Sequence, residues 1–194
     1  MLKAFLPLVA LGLAYLTAAI PASAIDPAND APRLFAFEVS EDASVKGKFV
    51  FDDAPLHQDG LPAYGASFIT GGYVYPVGTL EEGRGVLPSG EPEFENLVMG
   101  SWICRGHFIG DGAHTTTGPI VATTQTYDLG RKPGEKMFVT EGVEIADFGE
   151  EVERAITGGT GPYRNSRGVI LQELLGFNQT GGVNLRVTVH MIGE

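Results

Sequence analysis

Cysteine is almost missing from this chain: one residue in 194, Cys104. That excludes an internal disulfide framework and any cysteine-rich zinc module. Cations are scarce too. Thirteen Lys and Arg stand against 24 Asp and Glu, for a formal charge of −11. Such a surface repels phosphate backbones, so nucleic acid is not an expected partner. Long helical stretches are also lacking, because 27 Gly and 12 Pro punctuate the chain. A helical bundle or coiled coil cannot thread that density of breakers. Hydrophobic residues nevertheless make up 43%, ordinary for a folded protein, and the length suits one domain.

One long apolar run is present, at the N-terminus. Residues 1–24 read MLKAFLPLVALGLAYLTAAIPASA, with Lys3 the only charge. Pro21 breaks the run, and Ala22-Ser23-Ala24 offers small residues at a cleavage site. The expectation is a signal peptide over 1–24 and a secreted product, extracellular or periplasmic, with no membrane attachment after cleavage. Removing 24 of the 194 residues leaves 170; one lysine and no acid go with them, taking the charge from −11 to −12. Residues 25–32, IDPANDAP, are expected to form a disordered leader. The folded domain is then 33–194.

From Arg33 onward the signals are those of strands. Alternating or β-branched runs cover 34–39, 46–51, 66–79, 97–110, 119–129, 136–147, 152–157, 167–177 and 183–192. Gly- and Pro-rich residues 80–96 form a loop, and Pro133-Gly134 marks a turn. The one competitor for a helix, Gly149–Ile156, is short and runs into Gly158-Gly159. About nine short strands with glycine turns indicate a closed barrel or a sandwich.

Residues 155–168 read AITGGTGPYRNSRG. A phosphate cradle is excluded here, since no Gly-Lys-Ser/Thr follows and no helix opens. The segment resembles a glycine corner of allene oxide cyclases and dirigent proteins. Phe138-Val139-Thr140-Glu141-Gly142 and the closing strand Asn184–His190 are similar to dirigent segments. The resemblance implies an all-β fold: a single eight-stranded antiparallel closed barrel with a lipocalin-like cavity, its corner at Gly158–Gly161. Arg33–Ser40 is similar to the first strand of allene oxide cyclases, and Met99–Cys104 to a later one. By that resemblance Glu38 and Cys104 are the catalytic candidates. Ser40 stands where those enzymes carry Asn.

Alternation puts Glu38 on the strand face opposite Phe35 and Phe37, and Cys104 on one face with Trp102, Gly106 and Phe108. Trp102, Phe108 and Tyr127 are the ligand-binding candidates. His107, Asp111 and His114 invite a metal, but strand geometry points Cys104 and His107 apart, and the spacing matches no zinc signature. No metal and no cofactor are implied. Arg105, Arg154, Arg164, Arg167 and Arg186 are read as structural partners of Glu141, Glu144, Glu153 and Glu173. Asn178-Gln179-Thr180 is a glycosylation sequon.

Two functional readings follow. One is a barrel that holds a small hydrophobic molecule and steers its cyclisation or coupling, as a cyclase, isomerase or dirigent-type protein. The other is a non-catalytic exported binding or structural barrel with a packed interior. Self-association is left open.

Overall fold

The structure, a computed structural model, describes residues 33–44, 50–51 and 54–192. The expected signal peptide and leader, and the first part of the 46–51 strand, lie outside the described residues. Nine strands run in chain order: β1 Arg33–Asp42, β2 Val50–Phe51, β3 Ser67–Tyr75, β4 Gly100–Phe108, β5 Pro119–Asp128, β6 Met137–Ile145, β7 Glu151–Gly159, β8 Arg167–Phe177 and β9 Val183–Ile192. Among the described residues the helical content is four single 3-10 turns. The Gly149–Ile156 stretch is strand, because β7 pairs along its length with β8.

Neighbours hydrogen-bond in the order β1-β9-β8-β7-β6-β5-β4-β3, and β1 also pairs with β3. The sheet therefore closes as an eight-stranded antiparallel barrel with no free edge. Closure lies between β1 and β3, with Glu38 opposite Tyr75 and Asp42 opposite Gly71. The glycine corner at Gly158–Gly161 is the β7–β8 turn. Short β2 continues the line of β1 along the same edge of β3, with Val50 opposite Ile69.

Alternation decides what fills the barrel. Phe37, Val39, Trp102, Cys104, Tyr127, Phe138, Ile156, Ile170, Leu185, Val187, Val189 and Met191 face inward as one cluster. One end of the lumen is plugged by aromatics. Phe138 stacks on Tyr127 with ring centroids 4.7 Å apart, and Phe37 meets Tyr127 edge-on at 5.3 Å. Each such pair contributes about 0.5–1.5 kcal/mol beyond its buried area.

The second half of β1 is buried on both faces, which alternation alone does not explain. A strap over residues 76–98 crosses the outside of the wall there. Tyr75 Oη donates to Gly85 O at 2.7 Å and Tyr73 Oη to Gly90 O at 2.9 Å. Leu80 and Val86 are buried beneath it.

Candidate functional site

Halfway along the lumen the lining turns polar. Thr123 and Gln125 on β5, Thr140 and Glu144 on β6, Arg154 on β7 and Gln172 on β8 all share the inward parity of their strands. Glu144 is the hub. Its Oε1 accepts from Thr123 Oγ1 at 2.8 Å and from Cys104 Sγ at 3.4 Å; its Oε2 accepts from Gln172 Nε2 at 3.2 Å. Arg154 is 1% exposed. It donates to the carbonyls of Val143 and Thr123 at 3.0 and 3.1 Å, and its Nε has no partner. Gly142 makes room for it, since a Cβ there would press on the Arg154 side chain at 3.2 Å. Tyr127 Oη donates to Gln125 Oε1. Gln172 Oε1 is buried with no donor.

Above this layer the barrel opens into a cavity of about 400 Å³. Its walls are Ile120, Val152, Leu174 and Leu185, and Glu144 and Gln172 form its polar part. The rim carries Phe148 and Phe177, 60% and 53% exposed and edge-on at 5.8 Å. Large aromatics left in solvent at a cavity mouth are unusual for a sealed core. The mouth loops are tied together. Asp147 accepts from Thr117 Oγ1 and Gly118 N, and these bonds hold its carboxyl below the usual aspartate range.

The predicted residues fall on both sides of the wall. Cys104 faces inward. Burial above all, then the Glu144 charge, raises its thiol pKa well above the ordinary value; it is a hydrogen-bond donor, not a thiolate. Glu38 is buried but faces out, beneath the strap. Its Oε2 accepts from Thr79 N and Leu80 N, both at 2.9 Å, and its Oε1 lies 3.3 Å from Arg186 Nη2. The structure does not bring Glu38 and Cys104 together: Glu38 lies on the face opposite Phe37, as alternation has it, and that face is the outer one. Its parity follows Ser40 and not Phe37.

Trp102 and Tyr127 line the lumen, in the closed half, and Tyr127 is stacked into the plug. Phe108 packs on Phe68 at 5.4 Å near the barrel end. None of the three lines the 400 Å³ cavity. Phe177 stands at the rim.

No metal-binding cluster occurs among the described residues. His107 is exposed on the outer face. His114 instead pairs with Asp59 at 2.7 Å and stacks on His57 at 3.9 Å. Arg186 pairs with Glu173 as expected, at 3.4 Å. The sequon is also absorbed structurally: buried Asn178 donates through Nδ2 to Ser40 Oγ at 2.9 Å and Glu41 O at 2.7 Å.

Comparison with solved structures identifies the architecture. The barrel matches the pterocarpan synthase dirigent protein PsPTS1 with a TM-score of 0.59 and 16% identity, over 85% of this chain and 97% of that one. The fold is that of dirigent proteins. A second pterocarpan synthase dirigent protein, GePTS1, matches at 0.57 and 15% identity, over 84% and 86%. No protein-family model matches the chain, and no curated protein is similar to it.

Proposed function

We propose that this protein is an exported dirigent-like barrel that holds a small, largely apolar molecule in its open end and steers the reaction of that molecule by confinement. The observation that carries the reading is the 400 Å³ cavity with an apolar wall, two exposed rim aromatics and the half-buried Glu144 carboxyl at its polar face. A preformed apolar pocket with few polar groups is the ordinary form of a small-molecule site. Confinement selects one reactive conformer, and Glu144 is placed to stabilise positive charge that develops beside it. The dirigent fold supports the reading by analogy only. The aromatic plug in the other half supports the second reading, binding without chemistry, for a ligand that uses only the open end.

Export rests on residues 1–24. Intact-mass analysis of protein recovered outside the cell tests it: a mature N-terminus at Ile25 is expected, and retention of Met1–Ala24 in a membrane fraction contradicts it. Binding is tested by a thermal-shift screen with phenolics and fatty-acid epoxides on the native protein and on Leu174→Trp, which fills the cavity. A ligand selective for the folded state raises the melting temperature, and the rise disappears in Leu174→Trp. Shifts of equal size in both proteins place binding elsewhere and contradict the assignment. No shift with any member of the panel contradicts the ligand class.

A further inference from the structure

Charge is unevenly placed along the barrel axis. Six described cations stand at the plugged end: Arg33 opens β1, Arg131, Lys132 and Lys136 lie in the β5–β6 turn, Arg164 lies in the β7–β8 turn and Arg167 opens β8. Arg33 is half-buried and the other five are exposed. Among the described residues none of the six is in an ion pair, whereas Arg84 pairs with Glu93 and Arg186 with Glu38 and Glu173. The turns that carry them touch. Thr160 Oγ1 donates to Gly134 O at 2.6 Å, and Arg33 Nη1 donates to Pro162 O at 3.0 Å. Arg33 and Arg164 line a polar cleft of about 430 Å³ with Pro162 and Asn165. Three acids share this end. Asp128 is turned onto the amides of Gly130 and Gly134, Glu135 reaches back to the Lys132 amide, and Glu95 lies in the turn before β4. Six cations less three acids leave an excess of three positive charges. The open end is the reverse: its turns carry Asp59, Asp111, Asp147 and Glu150, and no described Lys or Arg.

We propose that the plugged end is a docking surface for an anionic lipid bilayer, with the Arg33–Arg164 cleft taking a headgroup phosphate. An arginine fork suits a phosphate, and the Pro162 carbonyl uses only one of the Arg33 donors. The net charge of −11 does not forbid this. A ten-residue strand tilted in a barrel sets the acidic turns about 25 Å from the cationic ones. That is about three screening lengths at physiological salt, so the bilayer feels mainly the near end. The same charge separation turns the acidic mouth of the cavity away from the lipid. Apolar side chains favour a bilayer over a soluble polyanion. Leu34 beside Arg33 is 70% exposed, and Ile192 opposite Arg167 is 40% exposed. A headgroup boundary rewards both; a hydrated polymer rewards neither. The cations also ring the barrel end and do not line a groove that a polymer strand would follow. The 32 residues ahead of the barrel, with their apolar run, join it at this same end. Docking of this kind is peripheral and reversible, and it is not the anchorage that cleavage of 1–24 removes.

Flotation of the purified protein with vesicles tests the proposal. One set is one-third phosphatidylglycerol in phosphatidylcholine, the other phosphatidylcholine alone. The native protein floats with the anionic set only, and 1 M salt, which shortens screening to about 3 Å, releases it. Each cation removed weakens binding about fivefold. The pairs Arg33→Gln with Arg164→Gln and Lys132→Gln with Arg167→Gln are each expected to lose about tenfold or more. The second pair is wholly exposed, and far-UV circular dichroism confirms that it folds. Arg105→Gln, an exposed cation on the side wall, binds as the native protein does. Flotation with neither set, equal flotation with both, or an equal loss in Arg105→Gln overturns the proposal. So does retention on an immobilised acidic polysaccharide without binding to anionic vesicles, which assigns the end to a polymer.

Discussion

The Cys104 thiol and the Glu144 carboxyl meet inside the barrel, Sγ to Oε1 at 3.4 Å. The contact joins β4 to β6 across β5 and places the chain's single thiol behind the cavity floor. Burial and the adjacent carboxyl raise its pKa together. We expect the native protein at pH 8 to resist a thiol-reactive dye and to react stoichiometrically once unfolded in denaturant. Full labelling of the native protein within minutes would contradict the buried placement.

Glu41 sits at the open end, with its Oε2 accepting from Val183 N at 2.9 Å. Burial, the largest influence, raises its pKa above 4.5. The folded state therefore holds the proton more tightly than the unfolded one. The stability this gives is complete below the unfolded value and is lost as pH rises through the folded one. Glu41→Gln keeps an oxygen for Val183 N and removes the ionisation. The variant is expected to match the native protein near pH 4 and to melt higher at pH 7, by about 2–4 °C per kcal/mol gained. Melting curves at the two pH values check this; a lower melting temperature at pH 7 contradicts it.

The strap is acid-labile by the same linkage with the opposite sign. The Gly85 N–H first, and then Arg84, hold the Glu93 carboxyl below its ordinary value. Its Oε2 accepts from Gly85 N and its Oε1 from Arg84 Nε, at 2.9 and 3.0 Å. The stability it supplies is present above about pH 4.5 and is lost as pH falls through the depressed value. Hydrogen exchange at the 76–98 amides is expected to gain local opening at pH 3 beyond the intrinsic pH effect. Glu93→Gln should show that opening already at pH 7.

At the β7–β8 corner, Gly161 has φ of +54°, and a Cβ there would run into the carbonyl of Glu135. Gly161→Ala combines overpacking against backbone with a left-handed conformation. The expected cost is about 1–3 kcal/mol, read as a lower denaturation midpoint. Gly134→Ala is the control: its φ is +75°, but nothing lies within 4 Å of its Cβ. It should cost less.

The wall of the barrel was legible where one period governed. Residues 119–129 alternate cleanly and form strand over Pro119–Asp128, and Trp102 and Cys104 were placed together on one face, which the structure shows to be the inner one. The same parity could have found the polar layer. Glu144 lies two, four and six residues from Gly142, Thr140 and Phe138, and Arg154 lies two from Ile156. Both were read instead as structural ion-pair partners, because charge weighed more than alternation. The burial of Glu38 was not legible, since it depends on a strap that reaches β1 from some 40 residues away. The position of the cavity was equally hidden. Inward residues at both ends are mixed in kind, and only the three-dimensional stacking of Phe37, Tyr127 and Phe138 shows which half is filled.

The central claim is that the open half of the barrel holds a small apolar ligand. Methyl chemical-shift mapping tests it most directly, using the compound that gives the largest thermal shift. The account predicts saturable shifts concentrated on Ile120, Val152, Leu174 and Leu185, with Val187 and Met191 in the plugged half unmoved. Shifts confined to outer-wall methyls such as Ile69 and Ile103, or none at saturating compound, would contradict it.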